Sequence, residues 1–327
     1  MKIDRILPAD ALPFFAPKVH VINVPAGWLL LGRENFMGNL CYNLSVHTPE
    51  DSPLILGFVA DLIFAVKIEQ AAAGLGFQVD WVEQGEKIVP PSPPGKPPEP
   101  FDGPAGALID AISQRQPGLL IFDLGNQAIP WREWLPLLKS SPATRRIPLL
   151  CYGSHVDAGT LAEARRCGAD AVLARSRFAS DLPHLLKKYA RTPDFAAIQQ
   201  GCRGELSEIA LRGLEAFNQH EYFEAHELLE AAWNQDATPA KELYRAILQV
   251  AVAYYQIERR NYNGAVKMFQ RMRQWFEPMP DECRGVDVKN LRLAAEHAYD
   301  LLLELGRQRI SDFDPINFRP VLYRKAT

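Results

Sequence analysis

The chain has no excess of one charge. Its 36 lysines and arginines face 39 acids, a formal net charge of −3 at pH 7. No global field therefore draws it to nucleic acid or to an anionic membrane. It also lacks any run of about 18 apolar residues, so the pattern predicts no helical membrane span. The opening, MKIDRILPAD, carries Asp4 and Asp10 and no long apolar core, and does not read as a secretory leader. Cysteine is scarce. Cys41, Cys151, Cys167, Cys202 and Cys283 are odd in number and widely spaced, without a CxxC pair. That predicts neither a disulfide framework nor a zinc site, and fits a reducing, cytoplasmic setting.

What is present is an ordinary apolar fraction, 47%, over 327 residues. Two cores are the expectation at this length. Residues 1–50 read as an extension with short strands around Pro25-Ala26-Gly27. From Ser52, apolar runs alternate with helical patterns. Strands are expected at Pro53–Val59, Phe77–Val82, Gly118–Asp123, Ile147–Tyr152 and Ala171–Ala174. Helices are expected at Leu62–Gly76, Ala105–Gln114, Trp131–Lys139, Ala158–Cys167 and Ala179–Tyr189. Such βα alternation predicts a parallel sheet covered on both faces, with its site at the C-terminal strand ends. Seven prolines between Pro90 and Pro100 make 89–104 a solvated, polyproline-like insertion.

Arg191–Gln200 reads as a linker, and no strand is expected after Gly201. Helices are expected at Glu205–Asn218, Glu221–Asn234, Pro239–Arg260, Tyr262–Phe276 and Val286–Leu305. Thr238 can cap the third, with Pro239 at its first position. Tyr222, Ala225, Leu228 and Leu229 recur forty positions later as Tyr262, Ala265, Met268 and Phe269. The repeat predicts two helical hairpins of tetratricopeptide style in a closed bundle. The division is thus an extension at 1–50, an α/β domain at 51–192, and an all-α domain with an irregular tail at 193–327.

In its segment order the α/β part resembles the response-regulator receiver domain, of flavodoxin-like, five-stranded design. LLIFDL at Leu119–Leu124, FDGPAGAL before it, IPLLCYGS at Ile147–Ser154 and RRCGADAVLARS at Arg165–Ser176 carry the resemblance. In that family an aspartate ending the third strand accepts a phosphoryl group. An acid pair holds Mg²⁺, a hydroxyl residue ends the fourth strand, and a lysine ends the fifth. Here Asp123 stands at the acceptor position. The acid pair is reduced to Asp61, Gly153 replaces the hydroxyl residue with Ser154 one place late, and Arg175 replaces the lysine. Arginine keeps the charge but not the point-charge geometry, and one acid weakens a Mg²⁺ site. The expectation is a pseudo-receiver with no required cofactor, Mg²⁺ at Asp61 and Asp123 being the residual alternative.

The second half has a different signature. His226, Glu230 and Trp233 fall four and seven residues apart, on one helical face. This HxxxExxW pattern resembles the bacterial domain of unknown function 309. FNQHEYFEAHELLEAAW at Phe217–Trp233, AILQVAVAYYQ at Ala246–Gln256 and NYNGAVKMF at Asn261–Phe269 extend the likeness. The family usually has a histidine where Gln256 stands. His226 and Glu230 could hydrogen-bond across one turn beside Trp233. That makes Tyr222, His226, Glu230, Trp233 and Gln256 either a binding face or a buried polar network. The catalytic alternative is a general-base or metal-assisted hydrolase on His226 and Glu230, with His297 and Asp300 as further donors. A third alternative is nucleic-acid binding by the helix at 262–276, where Lys267, Arg271 and Arg273 alternate with Phe269 and Trp275. The reading carried forward is a non-enzymatic regulatory or scaffold protein of bacterial signalling type. It docks through the pseudo-receiver, recognises a protein partner through the helical part, and has no membrane role. A homodimer stays open.

Overall fold

The computed structural model describes residues 52–89 and 103–324. The extension at 1–50 and nearly all of the proline-rich insertion lie outside them. The described residues fall in one compact unit.

Five parallel strands form the first layer: β1 (Leu54–Phe58), β2 (Gln78–Trp81), β3 (Leu119–Asp123), β4 (Leu149–Gly153) and β5 (Ala171–Ala174). Their order is β2-β1-β3-β4-β5, the flavodoxin-like doubly wound order. Phe58 lies beside Phe122 across β1 and β3, and Asp123 beside Tyr152 across β3 and β4. β3 and β4 are buried along their whole length, so they read as unbroken apolar runs rather than alternating ones.

Alternate strand residues serve opposite faces. Leu56, Phe58, Leu120 and Phe122 pack under α2 (Pro104–Arg115), α3 (Trp131–Ser140) and α4 (Ala158–Arg166). Ile55, Leu119, Ile121 and Tyr152 pack under α1 (Leu62–Ala73), α5 (Arg175–Ser180) and α6 (Leu182–Tyr189). The single helix expected at Ala179–Tyr189 is thus two. They break at Asp181, where Pro183 starts a new first turn.

The remainder is helical: α7 (Phe195–Cys202), α8 (Glu208–Asn218), α9 (Tyr222–Gln235), α10 (Glu242–Glu258), α11 (Tyr262–Phe276) and α12 (Val288–Leu305). Three expectations are corrected. The stretch read as a linker contains α7, started by Asp194, whose carboxylate accepts from Ala197 N–H. A two-stranded antiparallel ribbon, β6 (Glu282–Cys283) and β7 (Val286–Asp287), stands where no strand was expected. It turns at Arg284 and Gly285, both at positive φ. Thr238 does not cap with its side chain. Its Oγ1 instead accepts from Arg284 Nη2 at 2.7 Å.

The forty-residue repeat is visible in burial. Tyr222, Ala225 and Leu229 are buried, as are Tyr262, Ala265 and Phe269, while Leu228 and Met268 are both partly buried. Each helix follows a left-handed residue, His220 at φ 66° and Arg260 at φ 57°. These non-glycine residues end the preceding helix in the way an αL C-cap does. α8 pairs with α9 and α10 with α11. A Cβ on Gly213 would stand 2.9 Å from Leu229 Cγ, so glycine lets α8 and α9 approach closely. The bundle closes around Tyr254, whose ring meets Phe217, Tyr222, Phe269 and Phe318.

The cysteine expectation is also corrected. Cys202 at the end of α7 and Cys283 on β6 form a disulfide with an S–S distance of 2.11 Å, 81 residues apart. Neither falls in a spaced motif, because folding rather than sequence proximity brings them together. The cysteine-based argument for a reducing compartment is thereby lost. Among the described residues, no helix is long and apolar enough to cross a membrane.

Candidate functional site: two arginine clips and a tryptophan face

Asp123 ends β3 and is 4% exposed. Its Oδ1 accepts from Gly125 N–H at 2.9 Å. Arg175, the first residue of α5, reaches back over the strand ends. Its Nη2 donates to both Asp123 oxygens at 3.2 and 3.0 Å, and its Nη1 donates to Asp61 Oδ2 at 3.1 Å. Asp61 also caps α1, its Oδ1 accepting from Ile63 N–H and Phe64 N–H. The guanidinium plane lies near the rings of Phe64 and Tyr152, 4.9 and 5.7 Å from their centroids. Burial, with the neighbouring Asp123 carboxylate, pushes the Tyr152 phenol well above its ordinary pKa. Asp61, Asp123 and Arg175, scattered in sequence, therefore share one site. Ser154 does not join it: it is exposed, and its Oγ accepts from Val156 N–H within its own turn.

A divalent cation bound by Asp61 and Asp123 would have to sit between their carboxylates. That space is spanned by a guanidinium held at hydrogen-bond distance from both acids. The residues present therefore fit an internal organic cation rather than Mg²⁺. One guanidinium shared by two acids leaves a single net negative charge, a weak lure for a divalent metal.

The HxxxExxW residues lie on α9 as the spacing predicts, but they do not converge. His226 is half-buried and Glu230 exposed, and no hydrogen bond joins them. Tyr222 belongs to the aromatic core, 5.4 Å from both Phe217 and Tyr254. Gln256 serves the α10–α11 turn, its Oε1 accepting from Asn261 Nδ2 at 2.7 Å. His297 and Asp300 are exposed. Among the described residues, no three His, Cys, Asp or Glu side chains come together as a metal site would require. Trp233 alone has charged company. Arg245 on α10 lies 4.0 Å from its ring centroid and Lys241 Nζ 5.2 Å.

The basic helix is corrected most. Arg273 is 7% exposed and does not face solvent. It lies in the seam between α2, α11 and α12. Nε and Nη2 donate to Glu296 at 2.9 and 2.7 Å, and Nη1 donates to Asp110 at 2.7 Å and Ser113 Oγ at 3.0 Å. Tyr299 donates to the same Asp110 oxygen at 2.8 Å, and Gln270 donates to Tyr299 at 3.1 Å. Burial alone would lower the Arg273 pKa; Glu296 and Asp110 outweigh it and hold it above its ordinary value. This network was not visible in the sequence. Asp110 and Ser113 sit three apart on α2, an unremarked polar pair in an otherwise apolar stripe, and that was the available signal.

The family described as Domain of unknown function (DUF309) matches residues 210–268, which span α8, α9, α10 and the first half of α11. No curated protein matches the chain. Among solved structures, the receiver domain of a Pseudomonas aeruginosa sensor histidine kinase is similar at 14% identity. It covers 42% of this chain and 97% of that one, with a TM-score of 0.33, and was solved with magnesium in its active-site cleft. The receiver domain of a Syntrophus aciditrophicus histidine kinase is 20% identical over 44% of this chain and 96% of that one, TM-score 0.31. A response regulator of red-light signalling from R. palustris is 16% identical over 43% and 96%, TM-score 0.32. The chain joins a five-stranded parallel sheet in the order β2-β1-β3-β4-β5 to a helical part in which residues 210–268 are similar to DUF309.

Proposed function

We propose that this is a non-enzymatic regulatory or scaffold protein. Residues 51–192 serve as a pseudo-receiver that docks, and 193–327 recognise a protein partner. The observation that carries the reading is Arg175 between Asp61 and Asp123. A phospho-acceptor needs a free carboxylate oxygen and a metal to neutralise the incoming charge. Here both Asp123 oxygens accept from one guanidinium, which occupies the acceptor and halves the charge of the acid pair. Leu62, Ile63 and Val66, at 73, 69 and 50% exposure, form an apolar stripe on α1 directly after Asp61. An apolar stripe beside a site whose charge is partly offset suits protein docking. The cytoplasm remains the proposed compartment.

The test is incubation with acetyl phosphate and Mg²⁺ followed by intact mass measurement. No phosphoryl adduct is expected. An adduct that disappears in Asp123→Asn would overturn the proposal. Affinity capture from the native host, with Leu62→Ser/Ile63→Ser as comparison, tests the docking face. A partner retained equally by both proteins counts against it.

A further inference from the structure

Five arginines gather where the loop between α3 and β4 meets α10 and α11. Arg145 and Arg146 lie on that loop, Arg191 follows α6, Arg245 is on α10 and Arg271 on α11. Trp275 holds two of them. The guanidinium carbons of Arg245 and Arg146 lie 4.2 and 4.6 Å from its ring centroid. Arg245 also lies on Trp233, and Arg271 is one turn before Trp275 on the same helix face. Gln274 Nε2 donates to Pro142 O at 3.2 Å and ties the arginine loop to α11.

The charge is not balanced locally. Arg245 pairs with Glu242 at 3.2 Å. Among the described residues, Arg145, Arg146, Arg191 and Arg271 have no acid partner. Burial lowers the Arg146 pKa, and Arg245, Arg191 and Arg145 lower it further while Glu242 raises it. Burial also lowers that of Arg271, with Arg245, Arg145 and Arg146 adding to it. Like charges held this close repel unless an anion joins them. Guanidiniums stacked on indoles are pre-oriented, and their forked N–H donors match phosphate oxygens.

We propose that this cluster binds a compact, multiply phosphorylated small molecule, of the inorganic polyphosphate or nucleoside polyphosphate class. The arginines converge on one place instead of forming the long stripe that a nucleic-acid strand needs. Trp275 is buried at 6% exposure and covered by arginine, so it is no open platform for stacking successive bases. The site is independent of Asp123, and it stands whether or not the pseudo-receiver reading does.

The test is calorimetric titration of the full chain with sodium tripolyphosphate, with ATP, and with a single-stranded oligonucleotide. Tripolyphosphate and ATP should each bind at one site. Binding should weaken by about tenfold or more in Arg146→Gln/Arg271→Gln, but not in Arg203→Gln/Arg212→Gln, a charge-matched pair outside the cluster. Equal affinity for both ligands assigns the site to polyphosphate itself, and tighter ATP binding assigns it to nucleotides. Arg145→Gln checks folding: relief of repulsion should leave its melting temperature unchanged or raised. Absence of binding, equal weakening in the two double variants, or binding to the oligonucleotide alone would overturn the proposal.

Discussion

Two arginines in this molecule each bridge two carboxylates, and they do different things. Arg175 joins Asp61 and Asp123 at the open edge of the sheet, with its side chain 39% exposed. Arg273 joins Asp110 and Glu296 in the seam between the receiver-like and helical parts, with its side chain 6% exposed. The chemistry is the same; the solvent differs. At the sheet edge, water competes for the guanidinium and for Asp61, which limits what the clip adds to stability, although Asp123 itself is buried. In the seam the guanidinium itself has lost its water, while Asp110 and Glu296 keep side-chain exposures of 22 and 21%, and its loss strands both acids. The apolar cores on the two sheet faces and in the bundle are separate clusters. The seam is therefore held largely by polar contacts, with Arg273 at its centre.

The largest expected effect tests that contrast directly. Arg273→Met should lower stability by about 4 kcal/mol in urea denaturation, because it leaves Asp110 and Glu296 without their shared counter-charge. A loss no larger than that of Arg175→Met would break the comparison.

Next comes the covalent tie inside the helical part. Reducing Cys202–Cys283 opens a loop of 81 residues and should cost about 3 kcal/mol. Thermal melts with and without reductant measure it. The receiver-like part has no such tie among its described residues. An unchanged melt would mean that the Arg284 contacts to Asp236 and Tyr244 already hold β6 in place.

A pH effect of about 2 kcal/mol is expected from Glu277, at the end of the Arg273 helix. Burial pushes its carboxyl up from 4.5 to about 7, with Arg292 opposing. The folded state thus holds this proton more tightly than the unfolded one. Its contribution is fully present below about pH 4.5, declines as pH rises towards 7, and is gone above that. Glu277→Gln should flatten the stability profile over that window and raise stability at pH 8. A profile identical to that of the parent protein would refute this.

The smallest effect belongs to the exposed clip. Arg175→Met should cost about 1 kcal/mol. It should also free both acids, so a Mg²⁺ titration followed by Trp81 or Tyr152 fluorescence should respond in the variant and not in the parent. A response in both would show that the guanidinium does not hold the site.

Much of the architecture was legible because it is local. Periodicity located the five strands and most helices to within a few residues. The forty-residue repeat predicted two helical hairpins, and the structure shows its paired positions alike in burial, with Leu228 and Met268 both partly buried. The errors share one cause. α7, the β6–β7 ribbon and the Cys202–Cys283 bond depend on partners far along the chain, and no window contains both. The stripe at His226 and Glu230 looked like a site because its spacing is regular. Spacing puts residues on one face but does not say what that face meets.

The sequence alone determined the βα alternation, the helical repeat, and the presence of an arginine, Arg175, directly after the fifth strand. Hydrophobic period and residue identity are properties of the chain itself. Only the tertiary structure decided that Arg175 closes on Asp61 and Asp123, that Arg273 is buried in the seam, and that Arg146 and Arg245 share Trp275 within a cluster of arginines. Charge acts through space, and the distances that set its sign and size exist only once the chain has folded.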